Sequence, residues 1–188
     1  VLSVPVSVAP LLAPRCFVAV AGRAAAVQQA SRICRRWRAN AQAYAVLQSE
    51  AAFLSNLNVG QNLVLPSNWQ QPQPAAQLLH QARELFQGWQ LDGPTLAELL
   101  PLRPYELSET SRRTLVLLQA ALCQPQRLLI LPDWFAEPPL EDTPWWQLQN
   151  RVFQSQQWLY LASRPATLTP AVAWVTGKIG AEGNVDVE

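Results

Sequence analysis

The sequence predicts an α/β domain built on a mostly parallel sheet flanked by helices. Short apolar runs alternate along the chain with longer stretches whose apolar residues recur every three and four positions, the pattern of strands joined by helical crossovers. Hydrophobic residues make up 49% of the chain and charged ones 14%, a balance that suits a folded globular protein and not a disordered one. At 188 residues the chain fits one domain, 1–188, with a substantial core, and no internal repeat or linker divides it.

The elements follow in order. "CFVAVAG" (16–22) is an apolar run closed by glycine, a buried strand. "RAAAVQQASRICRRWR" (23–38) is rich in helix formers, with Val27, Ala30, Ile33, Cys34 and Trp37 on one face. "AYAVLQ" (43–48) is a second buried strand, and "PSNWQQPQP" (66–74) is a proline- and glutamine-rich loop. "AAQLLHQARELFQGW" (75–89) is an amphipathic helix stopped at Gly88 and then Gly93-Pro94. Ser108 caps a helix over about 109–123, with Glu109 well placed in its first turn. "QPQ" ends that helix, and "RLLIL" (127–131) is a central strand. "TPWWQLQNRVFQSQQ" (143–157) opens on a threonine cap with proline at the first helical position. "WLYLA" (158–162) is another strand, and "VAWVTGKIGAEG" (172–183) reads as a terminal hairpin turning at Thr176-Gly177.

Composition narrows the function. A formal charge of +1 argues against nucleic acid or anionic lipid as the main partner. No apolar run approaches the length of a membrane-spanning helix, and "VLSVPVSVAPLLAP", broken by Pro5, Pro10 and Pro14, is a poor signal peptide. Cys16, Cys34 and Cys123 are scattered, with no CxxC, and read as core thiols in a reducing compartment, so a cytoplasmic location is expected. Lys178 is the only lysine and His80 the only histidine, which leaves no lysine for an upstream phosphate loop. The 8 tryptophans exceed the needs of a core this size and hint at contact surfaces.

Three stretches, in order, carry a resemblance to a known family. "AVLQSEAAFLSNLNVGQNLVLP" (45–66), "RPYELSETSRRTLVLLQAALCQPQRLLILPDWF" (103–135) and "WLYLASRP" (158–165) resemble, respectively, three segments of the ATP-binding cassette of ABC transporters. These are the glutamine-loop segment, the signature helix with its acid-bearing strand, and the switch strand. The resemblance covers about residues 3–183. It implies a P-loop NTPase-like sheet, a helical signature-motif region over roughly 66–112 and an antiparallel β-subdomain. That subdomain is expected to be reduced, because only 26 positions separate Gly22 from Gln48, fewer than is usual in the family.

Position by position, the residues that would handle nucleotide are missing. The family's phosphate loop is GxxGxGK[ST], whose backbone amides wrap phosphates while lysine reaches the terminal ones. Here the matching stretch runs from Gly22 and Arg23 to Gln28 and Gln29; Gln28 replaces the lysine and Gln29 the magnesium-binding hydroxyl. Val27 stands where glycine is needed, and a β-branched residue at positive φ is strained, so residues 23–38 are expected to form a helix instead. Arg23 can meet an anion at that helix start, although an exposed arginine is the commoner case. Pro132 replaces the magnesium-site aspartate, Asp133 the catalytic glutamate and Ser163 the switch histidine. In the signature, Leu107-Ser108 remain, but Glu109, Thr110 and Ser111 replace the two glycines and the glutamine. A carboxylate there would repel a triphosphate. His80 lies upstream of the signature and reads as a surface or interhelical side chain.

The resemblance therefore implies a pseudo-ATPase, with no catalytic residue, no metal site and no ATP or Mg²⁺ as cofactor. Gly22, Arg23, Gln28, Gln29, Gln48, Ser108, Asp133 and Ser163 remain as vestigial positions. The implied partners are an integral membrane permease, docking near Gln48, Phe53, Leu54, Leu57 and Val59, some of the apolar residues there being core, and another cassette, meeting Trp134, Phe135, Trp145 and Trp146, with burial of these aromatics within the domain the equal alternative. Pairing with itself or with a relative, peripheral to the inner or plasma membrane, is open on this reading. The wording of "LSNLNVGQNLVLP" is nearest to cassettes of lipid-trafficking permeases. A soluble regulatory protein with the same fold, a residual ATPase using Asp133 and Arg23, and a divergent member of another α/β family stay open as alternatives.

Overall fold

The structure, a computed structural model, describes residues 15–20, 23–48, 53–70, 72–131, 134, 144–162, 174–179 and 185–187. In chain order the elements are β1 (Arg15–Ala19), α1 (Arg23–Ala39), β2 (Tyr44–Leu47), α2 (Val59–Gln70), α3 (Ala75–Gly88), α4 (Leu96–Leu99), a 3-10 turn (Pro104–Glu106), α5 (Glu109–Leu122), β3 (Arg127–Ile130), α6 (Pro144–Val152), β4 (Gln157–Ala162), β5 (Trp174–Ile179) and β6 (Val185–Val187). They divide into two compact units. One comprises Val1–Gln48 with Pro125–Glu188, and the other, Ser49–Gln124, is inserted between β2 and β3.

The first unit is a sheet of order β2-β3-β4-β1-β5-β6, parallel throughout except for the β5–β6 pair. Crossover helices cover parallel strands, so such strands are apolar on both faces. Here Val18, Leu129, Leu131, Leu159 and Leu161 meet α1 through Ala26, Ala30, Ile33 and Trp37. The alternate residues Ala45, Leu47, Leu128, Ile130, Trp158 and Tyr160 are buried as well, with Leu128 in register between Ala45 and Trp158. The face of α1 differs by one position from the sequence reading. Ala26 is fully buried and Val27 is 47% exposed, because the four-residue step back from Ala30 falls on Ala26.

The second unit is helical. α2, α3 and α5 pack together, with Val59, Leu63, Leu78, Ala82, Leu115 and Leu118 buried. It runs from Ser49 to Gln124, wider at both ends than the 66–112 read from sequence. At the amino end the difference takes in the start of α2 at Val59, and residues 66–70 continue that helix where a loop was expected, with Pro66 inside it. α4 is held by a capping box: Thr95 Oγ1 accepts from Glu98 N at 3.4 Å while Thr95 N donates to Glu98 Oε2 at 2.7 Å. That bond to the Thr95 backbone holds the Glu98 carboxyl below its ordinary value.

Other expectations need correction. Gly177 lies inside β5, paired with Val18 and Val187, so the β5–β6 connection falls after Ile179 and not at Thr176-Gly177. α6 ends at Val152, and Phe153–Ser155 form a turn, because Phe153 turns its carbonyl to Trp158 Nε1 at 2.8 Å. Between Arg23 and Gln48 the chain forms only α1 and β2, leaving no strands there for an antiparallel subdomain.

Candidate functional site

In open parallel sheets ligands bind beyond the carboxyl ends of the strands. Four neighbouring strands, β2, β3, β4 and β1, end on that edge, and the residues singled out from sequence follow them. Gln48 comes directly after β2 and is half-buried. Gly22, Asp133, Ser163 and Phe135 lie outside the described residues, as do the side chains of Arg23, Trp145 and Trp146. Among the described residues no cluster of three or more His, Cys, Asp or Glu could hold a metal ion.

The turn between β1 and α1 is the informative part of this edge. β1 ends at Ala19 and α1 begins at Arg23, so only residues 20–22 connect them. Positions 24–27, which match the phosphate loop in the resemblance, are α-helical. A helix leaves only its first four backbone N–H groups unpaired. Gln28 is therefore in the second turn, exposed, and Gln29 beside it is half-buried with an enclosed Oε1 that accepts no hydrogen bond.

At the signature stretch, Ser108 is the N-cap of α5, as its position before an apolar run predicts. Its Oγ accepts from Ser111 N at 3.1 Å. Glu109 points into solvent and is held by Arg113 at 2.6 Å, one helical turn on. Leu107 is buried, while Ser108, Glu109 and Thr110 are exposed.

The 53–66 segment is organised by a residue the sequence reading passed over. Asn62 is 2% exposed. Its Oδ1 accepts from Leu54 N at 2.7 Å, and its Nδ2 donates to the carbonyls of Leu54, Leu57 and Asn58 at 3.0, 3.3 and 3.0 Å. The α2 start is tied down from the other side, where Val59 N and Gly60 N donate to Leu102 O and Leu100 O at 2.9 and 3.0 Å. Arg103 reaches across to the Asn56 carbonyl. Of the proposed docking residues, Leu54 is 51% exposed and Phe53 and Leu57 are half-buried, but Val59 is fully buried and belongs to the interior. No local pattern announces this role: an asparagine among polar turn residues is ordinary, and only its burial against the loop marks it.

Trp134 takes the second of its two readings, burial within the domain. It is fully buried, and its Nε1 donates to Gln149 Oε1 at 2.8 Å, so it is a core residue and not a contact anchor. Gln149 is also fully buried and its Nε2 has no partner. His80 is exposed and sits 3.4 Å from Glu84 on α3, the surface role read for it.

A further cluster lies at the opposite, amino edge of the sheet. Trp37 packs against Tyr44, ring centroids 5.6 Å apart, and the Arg127 guanidinium lies 5.5 Å over the Trp37 ring. Arg38 Nη2 donates to Tyr44 Oη at 3.2 Å. Burial pushes the Cys34 thiol up to about 11, against the lowering influence of a hydrogen bond from Tyr44 and of the Arg38 charge. Burial also lowers the Arg127 guanidinium from its ordinary value. A thiol held protonated in this way is a packing group and a poor nucleophile.

No family model and no curated protein matches the chain. Among solved structures it is similar to one described as "Structure of ATP binding subunit of ABC transporter", with a TM-score of 0.58 and 14% identity over 88% of this chain and 76% of that one. Identity at that level speaks to architecture alone, and the chain has an ABC-like fold.

Proposed function

We propose that this chain is a non-catalytic cassette, a structural or regulatory subunit of an ABC-type membrane transport complex that neither binds nor hydrolyses ATP. The observation that carries the proposal is the start of α1 at Arg23. With residues 24–27 helical, this stretch is not a loop that wraps phosphates, and beyond the first turn its backbone amides bond within the helix. Gln28 and Gln29 bring no positive charge, and the only lysine, Lys178, is on β5. Glu109, ion-paired to Arg113 in the first turn of α5, adds a carboxylate where a partner's triphosphate would lie in the family's arrangement.

The partners on this reading are a permease subunit and a second cassette, either a copy of this chain or a relative that retains its phosphate loop. Among the described residues no helix is long and apolar enough to cross a membrane, which fits a subunit held to the membrane by such a permease. Leu54, exposed on a loop fixed from both sides by Asn62 and Arg103, supports docking there. The cargo class we carry forward is lipid, on the wording of residues 53–66.

The test is affinity purification of the tagged chain from solubilised membranes, with Leu54→Asp as the comparison. Recovery of an integral membrane permease by the native chain, lost in the variant, supports the reading. Recovery of soluble proteins alone, unchanged in the variant, moves the chain to the class of soluble regulatory proteins.

A further inference from the structure

The charge of +1 conceals a strong asymmetry. Residues 1–49 contain six arginines (15, 23, 32, 35, 36 and 38) and no acid, so the remainder carries 14 − 6 = 8 cations against 13 acids. The two segments, 1–49 and 50–188, are therefore +6 and −5.

Four of these arginines lie in the last two turns of α1. Ala26, Ala30, Ile33 and Trp37 turn one face of the helix onto the sheet, which leaves Ser31, Arg35 and Arg38 along the exposed stripe and Arg32 and Arg36 half-exposed at its flank. Arg35 Nε donates to the Ser31 carbonyl at 3.3 Å, and Arg38 is steadied by Tyr44. Among the described residues Arg32, Arg35 and Arg38 have no carboxylate partner. Three like charges on one short stretch repel one another, and they also face the helix's own negative C-terminal dipole end, which favours them only modestly. Their side chains remain free to pair with an anion from outside.

We propose that the exposed face formed by Arg32, Arg35 and Arg38 docks a carboxylate-rich segment of a partner protein. The cations are all arginine, whose planar fork takes a carboxylate bidentately, and they span about 9 Å of helix at 1.5 Å per residue, the footprint of a peptide. A membrane surface fits less well. A helix that lies on lipid inserts a broad apolar face, and that of α1 is already committed to the sheet, while the exposed stripe ahead of the charges offers only Val27 as a large apolar side chain, beside Ala24, Gln28 and Ser31. The surface is independent of whether the β1–α1 turn binds nucleotide.

The test is fluorescence anisotropy of a labelled deca-glutamate peptide at low salt, alongside sedimentation with phosphatidylcholine vesicles containing phosphatidylserine. The expected result is saturable peptide binding that weakens about tenfold or more in R32Q/R35Q/R38Q, and weakens in R35Q but not in R83Q, an equal charge change on α3. Circular dichroism of the variants confirms the fold. No peptide binding by the native chain, equal loss in R35Q and R83Q, or vesicle capture dependent on the same three arginines would each overturn the proposal.

Discussion

The side-chain amide of Gln119 donates to the backbone carbonyl of Asn62 at 2.7 Å. That carbonyl is the one Pro66 would have bonded as the fourth residue on, had it an N–H. A glutamine on α5 thus replaces the hydrogen bond that proline removes from α2, and the helix continues to Gln70. Removing the donor should strand the carbonyl. Gln119→Leu is expected to cost about 1–3 kcal/mol in urea unfolding. In a Pro66→Ala background, where the helix restores its own bond, the same change should cost about 1 kcal/mol less.

Asn62 ties together backbone groups of Leu54, Leu57 and Asn58 ahead of α2, where the backbone itself supplies only the bonds from Leu57 N to Leu54 O and from Asn62 N to Asn58 O. Asn62→Leu keeps the size but removes the side-chain partner of Leu54 N and Leu57 O, with an expected loss of about 2–3 kcal/mol. Amide exchange should speed up first at Leu54. Unchanged exchange there would show that the loop is held by other means.

Three helices end on left-handed residues that are not glycine: Ala41 after α1, Gln90 after α3 and Gln124 after α5, with φ of 52, 52 and 44°. At α1 the close is a Schellman motif, Gln42 N donating to Trp37 O at 2.9 Å and Ala41 N to Arg38 O at 3.1 Å. A left-handed Cβ is strained, so glycine at any of these positions should raise stability by a net of about 0.5–1 kcal/mol after its own entropy cost. Thermal unfolding of Ala41→Gly, Gln90→Gly and Gln124→Gly reads this directly.

Cys34 gives the protein a signed pH dependence. The thiol ionises at about 11 in the folded chain, against an ordinary value of 9.0. Between those values the unfolded chain has released a proton that the native state keeps. The contribution is therefore complete below about 9 and is lost as pH rises toward 11. The difference in urea midpoint between the native chain and Cys34→Ser should shift against the native chain from pH 8 to pH 10.5, measured within that window. Alkylation of Cys34 by iodoacetamide at pH 8 should be slow until the protein unfolds.

Trp134 and Gln149 form a buried pair in which only one amide nitrogen lacks a partner. Trp134→Phe leaves the Gln149 oxygen unpaired too and opens space beside it, so a loss of about 2–4 kcal/mol is expected in chemical denaturation. A loss below 1 kcal/mol would place the indole at the surface.

The parallel strands were legible because strands covered on both sides become short apolar runs, as in "RLLIL" and "WLYLA". α1, α3 and α5 were legible through their three- and four-residue spacing, and Ser108 through its place before an apolar run. What escaped depended on distant partners. Pro66 looked like a breaker, since the donor that excuses it is 53 positions away on α5. Trp134 read equally as a contact or a core aromatic, and the buried acceptor on Gln149 decides for the core. The left-handed close of α1 at Ala41 has no glycine to announce it, whereas Gly177, which suggested a turn, is a residue of a paired strand. At the candidate site the helical start at Arg23 followed from the missing glycines, while the organising role of Asn62 did not follow from any local pattern.

The most direct measurement is titration calorimetry of the purified chain with Mg-ATP up to millimolar concentration, run with a phosphate-release assay on the native chain and Asp133→Asn. A chain whose first helix fills the phosphate-loop positions should give no saturable heat and no release above buffer. Saturable binding, with phosphate release abolished in Asp133→Asn, would make it a working ATPase and contradict the account.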